Sequence, residues 1–357
     1  MNHDEKLTEV LPHYVKGGEI GTVETLHGGL INATYLVQTQ CGAQLVLQRV
    51  NTAVFQQPEL VMQNIQRVTA HVARVAPEAR ALHLLPTCEG GSFILDGDGG
   101  LWRAFNYLAG CVGHEQVDSA ALAYEAGCAF GTFLTQLSAL PAQGLAETIP
   151  HFHHTPRRIE ALDAALSADP LGRVAEIPQE LAVVDRWRAQ AGRIEQLREE
   201  GLLPTRTTHN DTKISNVLFD AGTGKAVCVI DLDTVMPGTM LYDYGDLVRT
   251  SLSRSGESAA VTEVECRMDV FRALTRGYLE AAGATLVPAE REHLVFSVQL
   301  ITLELAVRFL TDYILGDHYF RVDSPTQNLE RARNQLHLLS LLEATEDEMH
   351  AIVAELL

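Results

Sequence analysis

The sequence predicts an α+β chain of two lobes, a small antiparallel β-rich lobe followed by a large, mainly helical one. Three observations carry this: short apolar runs separated by glycine-containing turns up to about residue 108, helical periodicity from Asp118 onward, and a return of strand-like runs between about 204 and 235. The boundary falls at Ala109-Gly110, dividing 1–108 from 109–357. A chain of 357 residues with 46% hydrophobic content can bury the large core that such a division needs.

In the first lobe, Gly28-Gly29, Thr34-Tyr35-Leu36-Val37, Cys41-Gly42 and Leu45-Val46-Leu47-Gln48 alternate turn and strand signals. A helix follows Pro58, with Val61, Ile65, Val68, Val72 and Val75 at helical spacing and Pro77 as its stop. Ser92-Phe93-Ile94-Leu95, the turn 96–100, and Trp102 to Leu108 complete the sheet. In the second lobe, Asp118 to Leu140 reads as helix. Val183 to Glu199 reads as one amphipathic helix, and Ala289 to Leu315 as a long apolar helix central to the lobe.

Composition excludes several function classes. Lys and Arg number 27 against 46 Asp and Glu, and the net charge of −19 repels nucleic-acid backbones and anionic lipid surfaces. A local cationic pocket for a nucleotide is still compatible, because charges beyond roughly 10 Å are screened. The six cysteines form no Cys-x-x-Cys pair, which favours buried free thiols. With a polar N-terminus and no uninterrupted apolar run of about 18 residues, the expectation is a cytoplasmic protein, monomeric or homodimeric.

The chemistry concentrates in Thr208-His209-Asn210-Asp211-Thr212-Lys213-Ile214-Ser215-Asn216, followed by an apolar run into Ile230-Asp231. Transfer of a phosphoryl group from ATP needs a carboxylate that orients the attacking hydroxyl, and oxygen ligands that hold Mg²⁺ against the phosphates. Asp211 suits the first role and Asn216 and Asp231 the second, while Lys213 stands where a cation could meet the transferring phosphate. The spacing Asp-x-x-x-x-Asn is that of a protein-kinase catalytic loop. A bland surface turn explains Asn210-Asp211 alone. It does not explain the following hairpin, Val217-Leu218-Phe219, turn 220–224 and return strand, which brings Asp231 beside Asn216.

Other candidates are graded by their surroundings. The segment from His27 to Thr34, with Gly28, Gly29, Asn32 and Thr34, could bring backbone amides to nucleotide phosphates, or could be an ordinary hairpin turn. Gln48-Arg49 ends the strand where a protein kinase places its phosphate-contacting lysine; either Arg49 substitutes as the cation, or alternation turns it to solvent and leaves Gln48 inward. At the lobe boundary, Asn106, Tyr107 and Leu108 are positional candidates for backbone recognition of adenine. Asp243 and Asp246 either support a helix start or bind substrate. Glu304, Arg308 and Asp312 share one face of the late helix, as a salt-bridge ladder or as a polar floor for a hydroxyl-rich substrate. His151, His153 and His154 lack a second ligand group for zinc and read as ordinary loop histidines.

The chain resembles the aminoglycoside phosphotransferase and choline kinase superfamily, through His209-x-Asp211-x-x-x-x-Asn216 and Ile230-Asp231. Within it, the sequence is most similar to the N-acetylhexosamine 1-kinases. That closer likeness lies in 29–35, Leu47-Gln48-Arg49-Val50-Asn51, 209–213, 231–238, Tyr242-Asp243-Tyr244-Gly245-Asp246 and 308–313. The resemblance implies a protein-kinase-like fold that uses ATP and Mg²⁺ to phosphorylate the anomeric hydroxyl of a GlcNAc- or GalNAc-type sugar. Asp211 would orient or deprotonate that hydroxyl, Asn216 and Asp231 would bind Mg²⁺, and Asp243, Arg308 and Tyr319 would contact the sugar. The departure from the pattern is Gln48-Arg49, where many members carry Lys. Other small alcohols, among them another sugar, homoserine, an aminoglycoside or choline, and a catalytically silent nucleotide-binding regulator, are the alternative readings.

Overall fold

The computed structural model describes residues 3–15, 20–26 and 32–357. Strands β1 (Ile20–Thr25), β2 (Ala33–Thr39), β3 (Gln44–Arg49), β4 (Leu84–Leu85), β5 (Ile94–Leu95) and β6 (Leu101–Asn106) form one antiparallel sheet. Their order is β1-β2-β3-β6-β4, with β5 also paired to β6. Alternation gives the sheet two faces. Tyr35, Val37, Leu45, Leu47, Trp102 and Ala104 pack against Leu7, Val10 and Leu11 at the end of an N-terminal helix, His3–Val10, that the sequence reading did not foresee. Phe105 lies on the opposite face with helix Pro58–Val75, which has the bounds its Pro58 and Pro77 predict. The strand expected over 92–95 shrinks to two residues, and the one expected to reach Leu108 stops at Asn106.

The second lobe is helical apart from two small sheets. Strands β7 (Cys111–Gly113), β8 (Arg206–Thr208), β9 (Val217–Asp220), β10 (Ala226–Val229) and β11 (Met236–Gly238) pair as β10-β9-β7 and β11-β8. The β9–β10 hairpin is the one read from the sequence. Helix Leu294–Leu315 runs through the middle of the lobe; it is apolar and long enough to cross a membrane by length and composition, but 78% of its most apolar window is buried inside the fold. Helices Ala120–Leu137 and Met268–Ala282 meet backbone to backbone. A Cβ at Gly127 would lie 2.1 Å from the Leu274 carbonyl oxygen, and one at Gly277 2.2 Å from that of Tyr124, so only glycine allows this approach.

Two helices expected to be continuous are broken. The stretch 183–199 is Pro178–Trp187 and Arg193–Glu199, separated by turns capped at Gly192. A helical glycine costs about 1 kcal/mol relative to Ala, and the break lets Trp187, Ile194 and Leu197 all face the core. Likewise 289–315 divides at His293 into Pro288–Glu292 and Leu294–Leu315. The six thiols are free as expected, but none is fully buried, and Cys41 is exposed at the tip of the β2–β3 hairpin.

Candidate active site

The segment between β8 and β9 is held from beneath by one carboxylate. Asp243, in helix Met240–Leu252, accepts the backbone N–H of His209 on Oδ2 (2.8 Å) and that of Asn210 on Oδ1 (2.7 Å). Its own carbonyl accepts the Thr212 hydroxyl at 2.5 Å. Burial pushes the Asp243 carboxyl above its ordinary value in spite of these partners. Each oxygen accepts one amide of the loop, so Asp243 supports the segment that carries Asp211. Asp246, its neighbour, pairs with Arg249 at 2.8 Å.

The loop is kinked where its residues tolerate it. Asn210 has φ +65°, a left-handed conformation that Asn adopts more readily than most residues. Its side chain accepts from the Thr208 hydroxyl and donates to the carbonyls of Thr208 and Thr234. His209 is fully buried between Phe130 and Phe133, with Nε2 3.0 Å from the Ile230 carbonyl. This ties the loop to the strand that delivers Asp231.

At the mouth, Lys213 Nζ lies 3.0 Å from Asp211 Oδ2. Asn216 Nδ2 donates to the Asp211 carbonyl (2.8 Å) and to Oδ2 (3.1 Å). Burial acts to raise the Asp211 carboxyl, but Lys213 and His209 outweigh it, with hydrogen bonds from Lys213 and Asn216, and hold it below the usual carboxylate value. Such a carboxylate is a weak base; it orients a hydroxyl better than it deprotonates one early. The Ile230 amide donates to the Asn216 carbonyl at 2.9 Å, which places Asp231 beside Asn216. Asp231 has φ +60°, and burial, then Asp233 and Asp211, push its carboxyl up to about 6.

That raised value is a test of whether a cation fits. Asp233 and Asp211 both act to raise the Asp231 carboxyl, against Lys213 and Arg103, and a divalent ion would relieve that repulsion. Among the described residues no group of three or more His, Cys, Asp or Glu forms a metal cage. Mg²⁺ does not require one: it is held by one or two carboxylate or amide oxygens plus substrate phosphates and water. Asn216 and Asp231 would supply such a pair.

The first-lobe candidates divide. Gly28 and Gly29 lie outside the described residues. Asn32 Nδ2 donates to Asp233 Oδ2 at 2.6 Å while its Oδ1 accepts the Asn51 amide, and the Thr34 hydroxyl accepts from Gln48 at 3.2 Å. Both side chains are engaged within the protein. The expectation for Arg49 is corrected. It stands on the same face of β3 as Leu45 and Leu47, away from the cleft, with Nε 3.4 Å from Asp96, which Lys6 shares. Gln48 is the inward residue. The Asn106 side chain staples 81–83, accepting the His83 amide and donating to the Ala81 carbonyl, while half-buried Leu108 follows the end of β6 at the lobe junction.

On the other side of the loop, the late helix makes no ladder. Glu304 turns to His153 Nδ1 (2.9 Å) and the Thr155 hydroxyl (2.8 Å). Asp312 accepts the amides of His318, Tyr319 and Phe320, which fixes the Tyr319 loop. Arg308 is thus brought to Tyr319, its Nη2 3.4 Å from the hydroxyl, with its guanidinium over Phe152, Tyr319 and Phe320.

His153 is a residue the sequence reading left in an ordinary role, and it braces the loop. Nδ1 meets a carboxylate and Nε2 the Asn210 carbonyl at 2.9 Å; both partners are acceptors, so both nitrogens carry protons and the ring is an imidazolium. Burial opposes this charge, but Glu304, the Asn210 carbonyl and, more distantly, Asp246 raise the His153 value, and His153 holds Glu304 below its own. The neutral Tyr242 ring stacks against it. With the folded value raised, the His153 contribution is complete below its ordinary value of about 6.5 and is lost as pH rises through the raised one; the Glu304 contribution is complete above about 4.3 and lost as pH falls. Thermal melts are expected to show stability falling on the alkaline side of neutrality, and H153Q, which has nothing to titrate there, should lose that component. Equal alkaline slopes for both proteins would contradict the imidazolium.

A model of the phosphotransferase enzyme family (APH) matches residues 22–284, which span β1, the loop with Asp211 and Asn216, and Asp231. The chain belongs to that family. Among solved structures, this phosphotransferase is similar to an aminoglycoside phosphotransferase from Alicyclobacillus acidocaldarius, at 15% identity and TM-score 0.64, covering 98% of this chain and 96% of that one. A microcompartment-associated aminopropanol kinase matches at 19% identity and TM-score 0.65, covering 95% and 96%. An amicoumacin kinase in complex with AMP-PNP, Ca²⁺ and Ami matches at 12% and 0.62, covering 94% and 93%. The two-lobed kinase-like fold is common to all three.

Proposed function

We propose that this phosphotransferase transfers the γ-phosphoryl group of ATP, with Mg²⁺, to the anomeric C1 hydroxyl of an N-acetylhexosamine of GlcNAc or GalNAc type. The observation that carries the reading is the Asp211 carboxylate, fixed by Lys213 and Asn216, with Asp231 brought beside Asn216. ATP occupies the cleft between the lobes, with the junction at Ala109-Gly110 and backbone at Leu108 reading adenine. Asp211 accepts a hydrogen bond from the acceptor hydroxyl; as the oxygen bonds to Pγ, the Pγ–O bond to ADP breaks and the hydroxyl proton passes to the Asp211 carboxylate. Lys213 balances charge on the transferring group. Asn216 and Asp231 would hold Mg²⁺, which would supply neutralisation of charge on the phosphate oxygens.

A neutral sugar suits the acceptor end better than a cation. Arg308 already fills the aromatic cluster of Phe152, Tyr319 and Phe320, and Arg158 lies close enough to feel its charge. Choline or a polycationic aminoglycoside would meet like charge there. The silent-regulator reading has no support in the residues, since Asp211, Asn216 and Asp231 are all present. In a cytoplasmic setting ATP and sugar would be the partners. The test is Mg²⁺-dependent ADP release with GlcNAc, GalNAc, glucose, galactose, homoserine, choline and kanamycin. Release with the two N-acetylhexosamines alone is expected; strong release with another acceptor would replace the substrate.

A further inference from the structure

Thr34, Gln48 and Arg103 are register partners on β2, β3 and β6, side by side on the cleft face of the sheet. Gln48 Oε1 accepts both Arg103 Nε (3.0 Å) and Nη2 (2.9 Å), and Gln48 Nε2 donates to the Thr34 hydroxyl. So oriented, Arg103 Nη1 crosses to Asp233 Oδ1 at 2.5 Å, with the two side chains 1% and 3% exposed. Asp233 stands two residues beyond Asp231, and its other oxygen is taken by Asn32. The segment that carries Asp231 is thus fastened to the first lobe through both oxygens of one carboxylate.

The Arg103–Asp233 contact is an ion pair between two buried charges, and removing either partner would leave the other uncompensated. The row also explains the departure at β3. Position 48 faces the cleft, and a neutral amide there would leave the phosphate side of the site without a sheet cation, were Arg103 not supplied from the adjacent strand.

We propose that Arg103 is the positioning cation of the nucleotide site, oriented by Gln48 and countered by Asp233, in place of a lysine at position 48. The proposal rests on the reading that ATP is the phosphate donor. Arg103 acts by pinning the Asp231 segment against the sheet; it is not a group that reacts.

The test is the affinity for ATP·Mg²⁺ and for ADP·Mg²⁺, by calorimetry or ligand-induced thermal shift, in variants whose folding is checked by circular dichroism. R103M is expected to weaken nucleotide binding by at least roughly tenfold, with the KM for the acceptor sugar changed less than about threefold. Returning a cation to β3, in Q48K/R103M, is expected to recover most of the lost affinity, a rescue that a merely structural arginine would not show. R49M, on the other face of the strand, should bind nucleotide as the wild type does. Wild-type affinity in folded R103M would overturn the proposal, as would a Q48K/R103M protein no better than R103M. If R103M does not fold, Q48M carries the test: it keeps the guanidinium but removes the amide that orients it, and an affinity unchanged within about twofold would overturn the proposal. A wild-type protein that binds neither nucleotide would instead overturn the ATP reading, and this inference with it.

Discussion

Asp211→Asn is expected to lower kcat by about a thousandfold, inside the range of about 10²–10⁴ typical for a positioned acid–base group, with little change in melting temperature. The amide keeps the shape and can still accept from Asn216, so the loop has no reason to collapse. What is lost is the anion that aligns the hydroxyl and receives its proton. Because Lys213 and His209 already hold the Asp211 carboxyl low, most of the loss comes from orientation, and the KM for ATP should move little. Steady-state kinetics beside a thermal melt check both halves. An Asn variant within about tenfold of wild-type turnover would remove Asp211 from the reaction.

Asp243→Ala should damage both stability and turnover. It strips the acceptors from the buried amides of His209 and Asn210. Each unsatisfied buried donor costs on the order of 1–3 kcal/mol, so the two together cost about 2–6 kcal/mol, or roughly 4–12 °C in melting temperature at about 2 °C per kcal/mol. The folded fraction should also turn over slowly, because Asp211 follows directly on the two amides that lose their anchor. Asn is not a mild replacement here: its NH₂ group would face one of the amides, donor against donor. Calorimetry with kinetics on the folded fraction distinguishes this bracing role from a sugar contact, which would raise the sugar KM and leave the melt unchanged.

What the sequence revealed, and what it hid, follows from the range of the interactions. Asp211, Asn216 and Asp231 were legible because a fixed spacing and one short hairpin bring them together. Asp243 was visible as a candidate, but its task depends on which way two backbone amides point, which no residue pattern reports. Gln48 and Arg103 could not be paired, since their meeting depends on the register between β3 and β6 across 55 positions. A signal did exist: Arg103 stands among Leu101, Trp102, Ala104 and Phe105, where a charge needs a buried partner. Alternation also foretold that Arg49 shares a face with Leu45 and Leu47, once Gln48 is taken as inward. The breaks at Gly192 and His293 were hidden because hydrophobic spacing continues through them, and only the packing of Trp187 and Ile194 against one core requires the turn.

The central claim is that this site phosphorylates C1 of an N-acetylhexosamine, and the position of the phosphate in the product tests it most directly. With GlcNAc, ATP and Mg²⁺, phosphorus–proton correlated NMR of the product is predicted to couple the new phosphate to the anomeric proton, with one ADP formed per sugar phosphate. Phosphate coupled to the C6 protons, or ADP formed without any sugar phosphate, would contradict it.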